Sequence, residues 1–399
     1  MNIEAYFMRF AWILFFLMWV TACHHPIDNL KKHPITLRIA TFNASLSENE
    51  PNKLIERLKN HDKNAKKIAA IIQHVRPDVL LINEFDYDEQ AQAATLFETH
   101  YLEVSQFEQT PITYPYRYLG TVNTGTPSGL DLDQDGTLNG PADAWGFGHH
   151  EGQYGMLVLS RFPIDTALVR SFQKFRWAKM PNALQPVLAS TRKPFYDAKT
   201  WPVLRLSSKN HWDIPIKSPN GIFHFLVHHP TPPVFDGPED RNGTRNHDEI
   251  RLWADYINPN KSNYLVDDQG QHGGLLAGEK FVIAGDHNAD PLDGDSAQSA
   301  ILQLLEHPMI NATKPPASKG ATEAAQREGG VNLTQRGPAA TDTGSFGKYV
   351  GNLRIDYVLP EKNMVIQSSG VFWPEHKALG HDWIDASDHR LMWVDLIWP

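Results

Sequence analysis

Cysteine is almost missing from this chain. Cys23 is the only one in 399 residues, so no disulfide can form within the chain and the fold must stand on its packed core. A basic excess is missing too. The formal net charge is −9 with a pI near 6.1, and no block of Lys or Arg breaks the sequence. Proteins that coat nucleic acid non-specifically need a basic face. The average charge weighs against that class and leaves it only a local basic cleft. There is no internal repeat, and no linker divides the chain. The apolar run "FAWILFFLMWV", residues 10–20, is uncharged but too short for a comfortable bilayer span.

What is present is globular: 41% hydrophobic, 11% aromatic and 21% charged residues. The N-terminal run has the length of a signal peptide and ends in "VTAC", Val20 to Cys23. A small residue before a Cys at that point resembles the lipobox of bacterial lipoproteins. The resemblance implies a signal peptide over 1–22, lipidation of Cys23, and a tether over 23–34. The ordinary alternative for a lone Cys is a small buried hydrophobe. His24 rather than Asp follows Cys23, which in the lipoprotein sorting pattern points to the outer membrane. Arg9 is the only basic residue before the run and Glu4 offsets it; a start at Met8 would give a cleaner charged beginning.

The remainder, 35–399, reads as one α/β domain with large surface insertions. "ITLRIATFN" (35–43) alternates as a strand does. In the charged stretch 52–75, Ala65, Ile68, Ala69, Ile72 and Val75 recur at helical spacing. "VLLINEF" then reads as a buried strand, so the chain opens strand, helix, strand. Further strands are expected at 155–160, 222–229, 280–286, 354–360 and 389–398, with a helix over 246–257. The segments 105–150, 171–218 and 311–350 are rich in Gly, Pro, Asn and Thr; loops of such length are uncommon and often functional.

Most of these strands end in a reactive side chain: Asn43, Glu84, His228-His229, Asp286-His287-Asn288, and Asp388-His389 at the opening of the last, with Asp356 inside the sixth. A polar strand end is unremarkable singly. Together, carboxylates, amides and histidines are the kit for a hard divalent cation and an attacking water. In order, "TFN", "NEF", "GMLVLSRFPI", "GDHNADP", "IDYVLP" and "SDHRLMWVDL" resemble the endonuclease/exonuclease/phosphatase family, which includes DNase I-like nucleases, inositol polyphosphate phosphatases and neutral sphingomyelinases. The resemblance implies a four-layer α/β sandwich, two facing mixed sheets with helices outside.

It also implies roles. Glu84, Asn43 and Asp388 match the metal-site residues. Asp286 matches the Asp that orients and deprotonates the attacking water, and Asn288 the Asn that holds a phosphate oxygen. His389 and its partner Asp356 match a catalytic pair. His228 or His229 matches a second catalytic His. His229 is preferred because it is the last residue before Pro230, and the two must point to opposite faces. His287 departs from the family pattern, where that position is commonly apolar, and is either an extra phosphate contact or a surface residue. The implied activity is a Mg²⁺- or Mn²⁺-dependent hydrolysis of a phosphodiester or phosphomonoester, in line and without a covalent intermediate. Nucleic acid, phospholipid and small molecules all remain open as substrates, as does the number of metals. A monomer is expected. The alternative of another class is a non-catalytic binding or scaffolding lipoprotein on the same fold.

Two insertions carry their own patterns. In "DLDQDGTLNGPAD" (131–143), Asp131, Asp133, Asp135 and Asn139 fall at positions 1, 3, 5 and 9 of a calcium loop with Gly136 at 6, but Ala142 occupies the twelfth and Asp143 comes one later. A structural Ca²⁺ site is expected, against a solvated acidic turn. After His229, Arg241 and Arg245 are placed to hold a substrate phosphate or to pair with Asp236 and Glu239. Trp145, Phe147, His149 and His150 form a candidate cleft wall. Beyond Asn288, Asp290, Asp293 and Asp295 are expected to cap a helix that begins near Ala297.

Overall fold

A computed structural model of the chain describes residues 34–398. The expected signal peptide, Cys23 and the tether up to residue 33 lie outside the described residues. Within them, no helix is long and apolar enough to cross a membrane.

The strands are β1 Ile35–Leu46, β2 Val79–Phe85, β3 Tyr116–Leu119, β4 Met156–Ser160, β5 Arg170–Ser171, β6 His211–Ser218, β7 Gly221–His228, β8 Phe281–Asp286, β9 Gly344–Ser345, β10 Asn352–Leu353, β11 Asp356–Pro360, β12 Val365–Val371 and β13 Met392–Trp398. They form a six-stranded sheet in the order β12-β13-β1-β2-β4-β3 and a five-stranded sheet in the order β11-β8-β7-β6-β5, with β9 and β10 paired separately. The β1–β2 and β7–β8 pairs are parallel and the other pairs in both sheets antiparallel. Both sheets are therefore mixed. They pack face to face, β1 and β2 against β8 and β11.

The pleat explains the layering. Along β7, Phe223, Phe225 and Val227 join the core between the sheets, while Leu226 joins a second core beneath a helix. Along β8, Val282 and Ala284 face the first core, Phe281 and Ile283 the second. Strands buried on both faces read as apolar runs and sort their side chains by alternation. The helix over the second core is Arg241–Tyr256. Ahead of it in the chain come α1 Lys53–Lys59, α2 Lys63–Val75 and α3 Gln92–Phe97 on the far side of the six-stranded sheet, so Arg241–Tyr256 is α4. The result is helix, sheet, sheet, helix.

Several expected boundaries move. The stretch 52–75 is two helices, because Asp62 leaves the first path and its Oδ1 accepts from Ala65 N at 2.6 Å to start α2. β13 starts at Met392, which leaves Asp388 and His389 in the preceding loop. Asp290 and Asp293 do not cap a helix near Ala297. The Asp290 carboxylate accepts from Leu292, Asp293 and Arg354 N–H groups, and Asp293 from Arg336 and Gly337. Ser296 holds the cap position of a 3₁₀ turn over Ala297–Ser299 without a side-chain bond, and the helix proper, α5, is only Leu302–Leu305. These acids tie loops together instead.

Candidate active site

The site forms where β1 and β2 of one sheet end beside β8 and β11 of the other. Asn43, near the end of β1, donates from Nδ2 to Glu84 Oε1 and to Asp286 Oδ2, each at 3.0 Å. Glu84, the penultimate residue of β2, has φ of 55°. That left-handed conformation is costly for a non-glycine residue and characteristic of functional sites. Asn288 shares it, with φ of 52°. Its N–H donates to Asp286 Oδ1 at 2.9 Å and its Nδ2 to Pro230 O at 3.1 Å.

Asp286 shares the parity of Val282 and Ala284, so it opens into the space between the sheets at its end. There His229 Nε2 lies 3.3 Å and His389 Nε2 3.6 Å from Asp286 Oδ2. His389 donates from Nδ1 to Asp356 Oδ2 at 2.9 Å. Asp356 is opposite Asp286 in the β11–β8 register. Burial alone would lower the His389 pKa, but Asp356 and Asp286 outweigh it and raise it to about 10. The ring is a cation at neutral pH. Burial raises Asp356 to about 6 in spite of the His389 charge. Asp286 is also fully buried, yet His389 and His229 hold it below the ordinary carboxylate range. His229 itself is lowered by burial and by Lys209.

His228 turns the other way, as alternation requires. Its Nδ1 meets His211 Nε2 at 3.1 Å, and its ring stacks edge-on to His287 with centroids 4.3 Å apart. His287 is neither a surface residue nor a phosphate contact. It shares the parity of Phe281 and Ile283, lies fully buried against Tyr357, and donates from Nδ1 to Gly285 O at 3.0 Å. Burial lowers His287 to about 4 and His211 to about 3. These rings are neutral parts of the core beneath α4.

Glu84 and Asp388 each keep carboxylate oxygens of the kind a hard cation takes, although the fold gathers neither into a group of three ligating side chains among the described residues. Glu84 Oε2 accepts no hydrogen bond among the described residues, and the Asp388 carboxylate is exposed and free of them. Unpartnered carboxylate oxygens suit Mg²⁺ or Mn²⁺. Asn43 presents its amide nitrogen to the carboxylates and its oxygen to Ser45 N at 3.3 Å, so it braces Glu84 and does not offer a ligand atom there. Among the described residues, the two groups of three that could share an ion are Asp286, Asp356 and His389, already bound to each other, and Asp131, Asp133 and Asp143. The second corrects the calcium-loop reading. Asp135 instead accepts from Thr137 N and Oγ1, both at 2.7 Å, and Asn139 is exposed. The turn directs Asp135 away from Asp131 and Asp133, and the fold sets Asp143 beside them, its two oxygens accepting from Leu132 N and Gly140 N.

The other expected contacts resolve into structure. Arg241 pairs with Glu239, and Arg245 donates to the carbonyls of Leu206, Trp145 and Arg205. Trp145 lies under the Arg205 guanidinium, Phe147 and His149 stack edge-on, and His150 meets Glu48 O.

Sequence patterns missed five supporting residues. Asn83 Oδ1 accepts from Thr41 Oγ1 and Asp286 N, both at 3.2 Å. Thr343 Oγ1 donates to Asp356 Oδ2 at 2.8 Å. Ser387 Oγ donates to Asn43 O at 2.8 Å and accepts from His389 N at 3.0 Å. Glu249 of α4 accepts from Ser208 N and Thr231 N, and Lys209 follows Ser208. Of these, Lys209 and Thr343 lie in the long insertions, whose length was the only signal.

The family model described as the Endonuclease/Exonuclease/phosphatase family matches residues 40–389. Similar solved structures include an endonuclease/exonuclease/phosphatase from Beutenbergia cavernae DSM 12333, with 16% identity, 91% of this chain and 71% of that chain covered, and a TM-score of 0.46. An endonuclease/exonuclease/phosphatase family protein from Bacteroides thetaiotaomicron has 12% identity, 92% and 99% coverage and a TM-score of 0.47. Sphingomyelinase C from Streptomyces griseocarneus has 15% identity, 90% and 99% coverage and a TM-score of 0.43. Among curated proteins no sequence match was found.

Proposed function

The chain belongs to the endonuclease/exonuclease/phosphatase family of metal-dependent phosphoesterases, and we propose that it hydrolyses a phosphodiester or phosphomonoester by in-line attack of a water held at Asp286. The observation that carries this reading is the Asp286 carboxylate, kept ionised by His389, His229 and Asn43 at the buried meeting point of the two sheets. A divalent cation held by Glu84 and Asp388, Mg²⁺ or Mn²⁺, would neutralise phosphate charge and lower the pKa of a bound water.

The chain's own residues do the rest. Asp286 orients the water and accepts its proton as the new P–O bond forms and the bond to the leaving oxygen breaks. A carboxylate held this low is a weak base, so its main contribution is position. His389, kept charged by Asp356, hydrogen-bonds a phosphoryl oxygen as negative charge gathers there. Asn288 holds a second oxygen, and His229 steadies Asp286.

The test is a panel of duplex DNA, RNA, bis-p-nitrophenyl phosphate, p-nitrophenyl phosphate and sphingomyelin with Mg²⁺, Mn²⁺ or Ca²⁺. Turnover that a chelator abolishes and Asp286→Ala removes supports the reading. Turnover that survives Asp286→Ala unchanged overturns it. No turnover on any ester, with substrate still bound, favours the binding-protein alternative.

Two further readings belong with this one. The lipobox-like "VTAC" supports anchoring of the protein to the outer membrane through Cys23; Cys23→Ala would release the chain from the membrane fraction. The cluster of Asp131, Asp133 and Asp143 supports a structural Ca²⁺ in the insertion.

A further inference from the structure

Lys209 has no place in the reaction so far. It is only 7% exposed. Its carbonyl is fixed by Asn123 N at 2.9 Å. The residue before it is locked from the other side, Ser208 N and Oγ donating to Glu249 Oε1 at 2.6 and 2.9 Å. Glu249 also takes Thr231 N at 2.7 Å, so one carboxylate of α4 clamps the segment of Lys209 to the segment of His229.

The ammonium itself forms no hydrogen bond or ion pair among the described residues. Its field comes from Glu249, Glu84 and Asp286, opposed by Arg245, and burial lowers its pKa. None of those carboxylates bonds the ammonium, and all but Glu84 Oε2 are taken by other donors. Both Glu249 oxygens accept N–H or O–H groups, Asn43 holds Glu84 Oε1, and Asn288, Asn43 and His229 hold Asp286. No protein group fills the ammonium's three donors, and Nζ is not among the atoms sealed from solvent, so the stem is buried while the charged tip stays reachable from outside. The partner is thus a group that arrives from outside, carries negative charge and offers several oxygens to a point cation.

We infer that Lys209 is a further catalytic residue whose ammonium binds a non-bridging oxygen of the substrate phosphoryl group. The inference rests on the phosphoesterase reading. It adds a second protein cation to the phosphate cradle and predicts a site that binds inorganic phosphate.

The experiment compares the full chain with Lys209→Met and Lys209→Arg at saturating Mg²⁺. Hydrolysis of bis-p-nitrophenyl phosphate and its inhibition by inorganic phosphate are both followed. Lys209→Met is expected to lower kcat/KM roughly 10²-fold and to weaken phosphate inhibition about tenfold, with Lys209→Arg recovering part of each. Its melting temperature should stay close to that of the unsubstituted protein, because the ammonium bonds no protein group and an apolar side chain of similar length keeps the packing of the stem. Unchanged phosphate inhibition in Lys209→Met overturns the inference, as does a loss of activity accounted for wholly by a fall in melting temperature. If the unsubstituted protein hydrolyses no ester, the phosphoesterase reading fails. Calorimetric titration with inorganic phosphate then still decides Lys209: binding that Lys209→Met abolishes supports it, and binding that the variant retains overturns it.

Discussion

The amide of Asn43, on the six-stranded sheet, donates to the carboxylate of Asp286, on the five-stranded sheet, at 3.0 Å. That bond crosses from one sheet to the other at the point where chemistry is expected. The same nitrogen holds Glu84, so one side chain sets the separation between the carboxylate proposed to orient the water and the one proposed to hold the cation. Asn43→Ala should lower kcat about 10- to 100-fold and leave the melting temperature nearly unchanged. Steady-state kinetics beside a thermal melt would check it.

The pH profile follows from His389 and Asp356. As pH rises through about 6, Asp356 loses its proton and gains full hold of the His389 cation; as pH rises through about 10, His389 loses its charge. The paired, charged form therefore spans about 6 to 10, and kcat should fall on both sides of that window. In Asp356→Asn the carboxylate is gone, so the alkaline limb should move to lower pH. An alkaline limb that stays in place would count against the pair.

His287 is expected to be dispensable for chemistry. It faces the core beneath α4 with His228 and Tyr357. His287→Phe should keep kcat within about threefold, and the change in stability should stay below about 2 kcal/mol, as for a tolerated core swap. A loss of activity on the scale of Asp286→Ala would return His287 to the site.

Gly285 lets β8 approach β7. Its φ is 155°, and an added Cβ would lie 2.1 Å from His228 O. Backbone cannot yield as a side-chain tip can, so Gly285→Ala should cost about 3 kcal/mol of stability and spread β7 and β8 at the site. Chemical denaturation measures the first effect, and a parallel drop in kcat the second.

The insertion 131–143 gives a metal test of its own. Ca²⁺ should raise the melting temperature, and Asp143→Asn should abolish the rise, whereas Asp135→Asn should leave it intact, because Asp143 and not Asp135 gathers with Asp131 and Asp133. Equal behaviour of the two variants would contradict the assignment of Asp143.

Much of the site was legible before any coordinates. "TFN", "NEF", "GDHN", "IDYV" and "SDH" sit at or beside strand ends, where local alternation and a reactive side chain both show in the sequence. Asp62 as a helix cap and α5 as a four-residue helix were not legible, because neither changes the apolar pattern strongly. The calcium loop shows the limit well. Its spacing named Asp135, but the side chains that gather in space are Asp131, Asp133 and Asp143, the last from outside the repeat.

By itself the sequence determined the strands that carry most of the reactive residues, since those follow from periodicity and from residue types at short spacing, and the resemblance carried by those motifs implied the family and its layers; β3, β6 and β12 emerged only in the fold. Only the tertiary structure decided which face each histidine took. His229 and His287 are both next to a strand end, yet the pleat sends one to Asp286 and the other under α4. It alone decided that Asn43 offers nitrogen rather than oxygen. It also revealed Lys209, a cation with no motif around it, because a missing partner can be recognised only when every neighbour is in place.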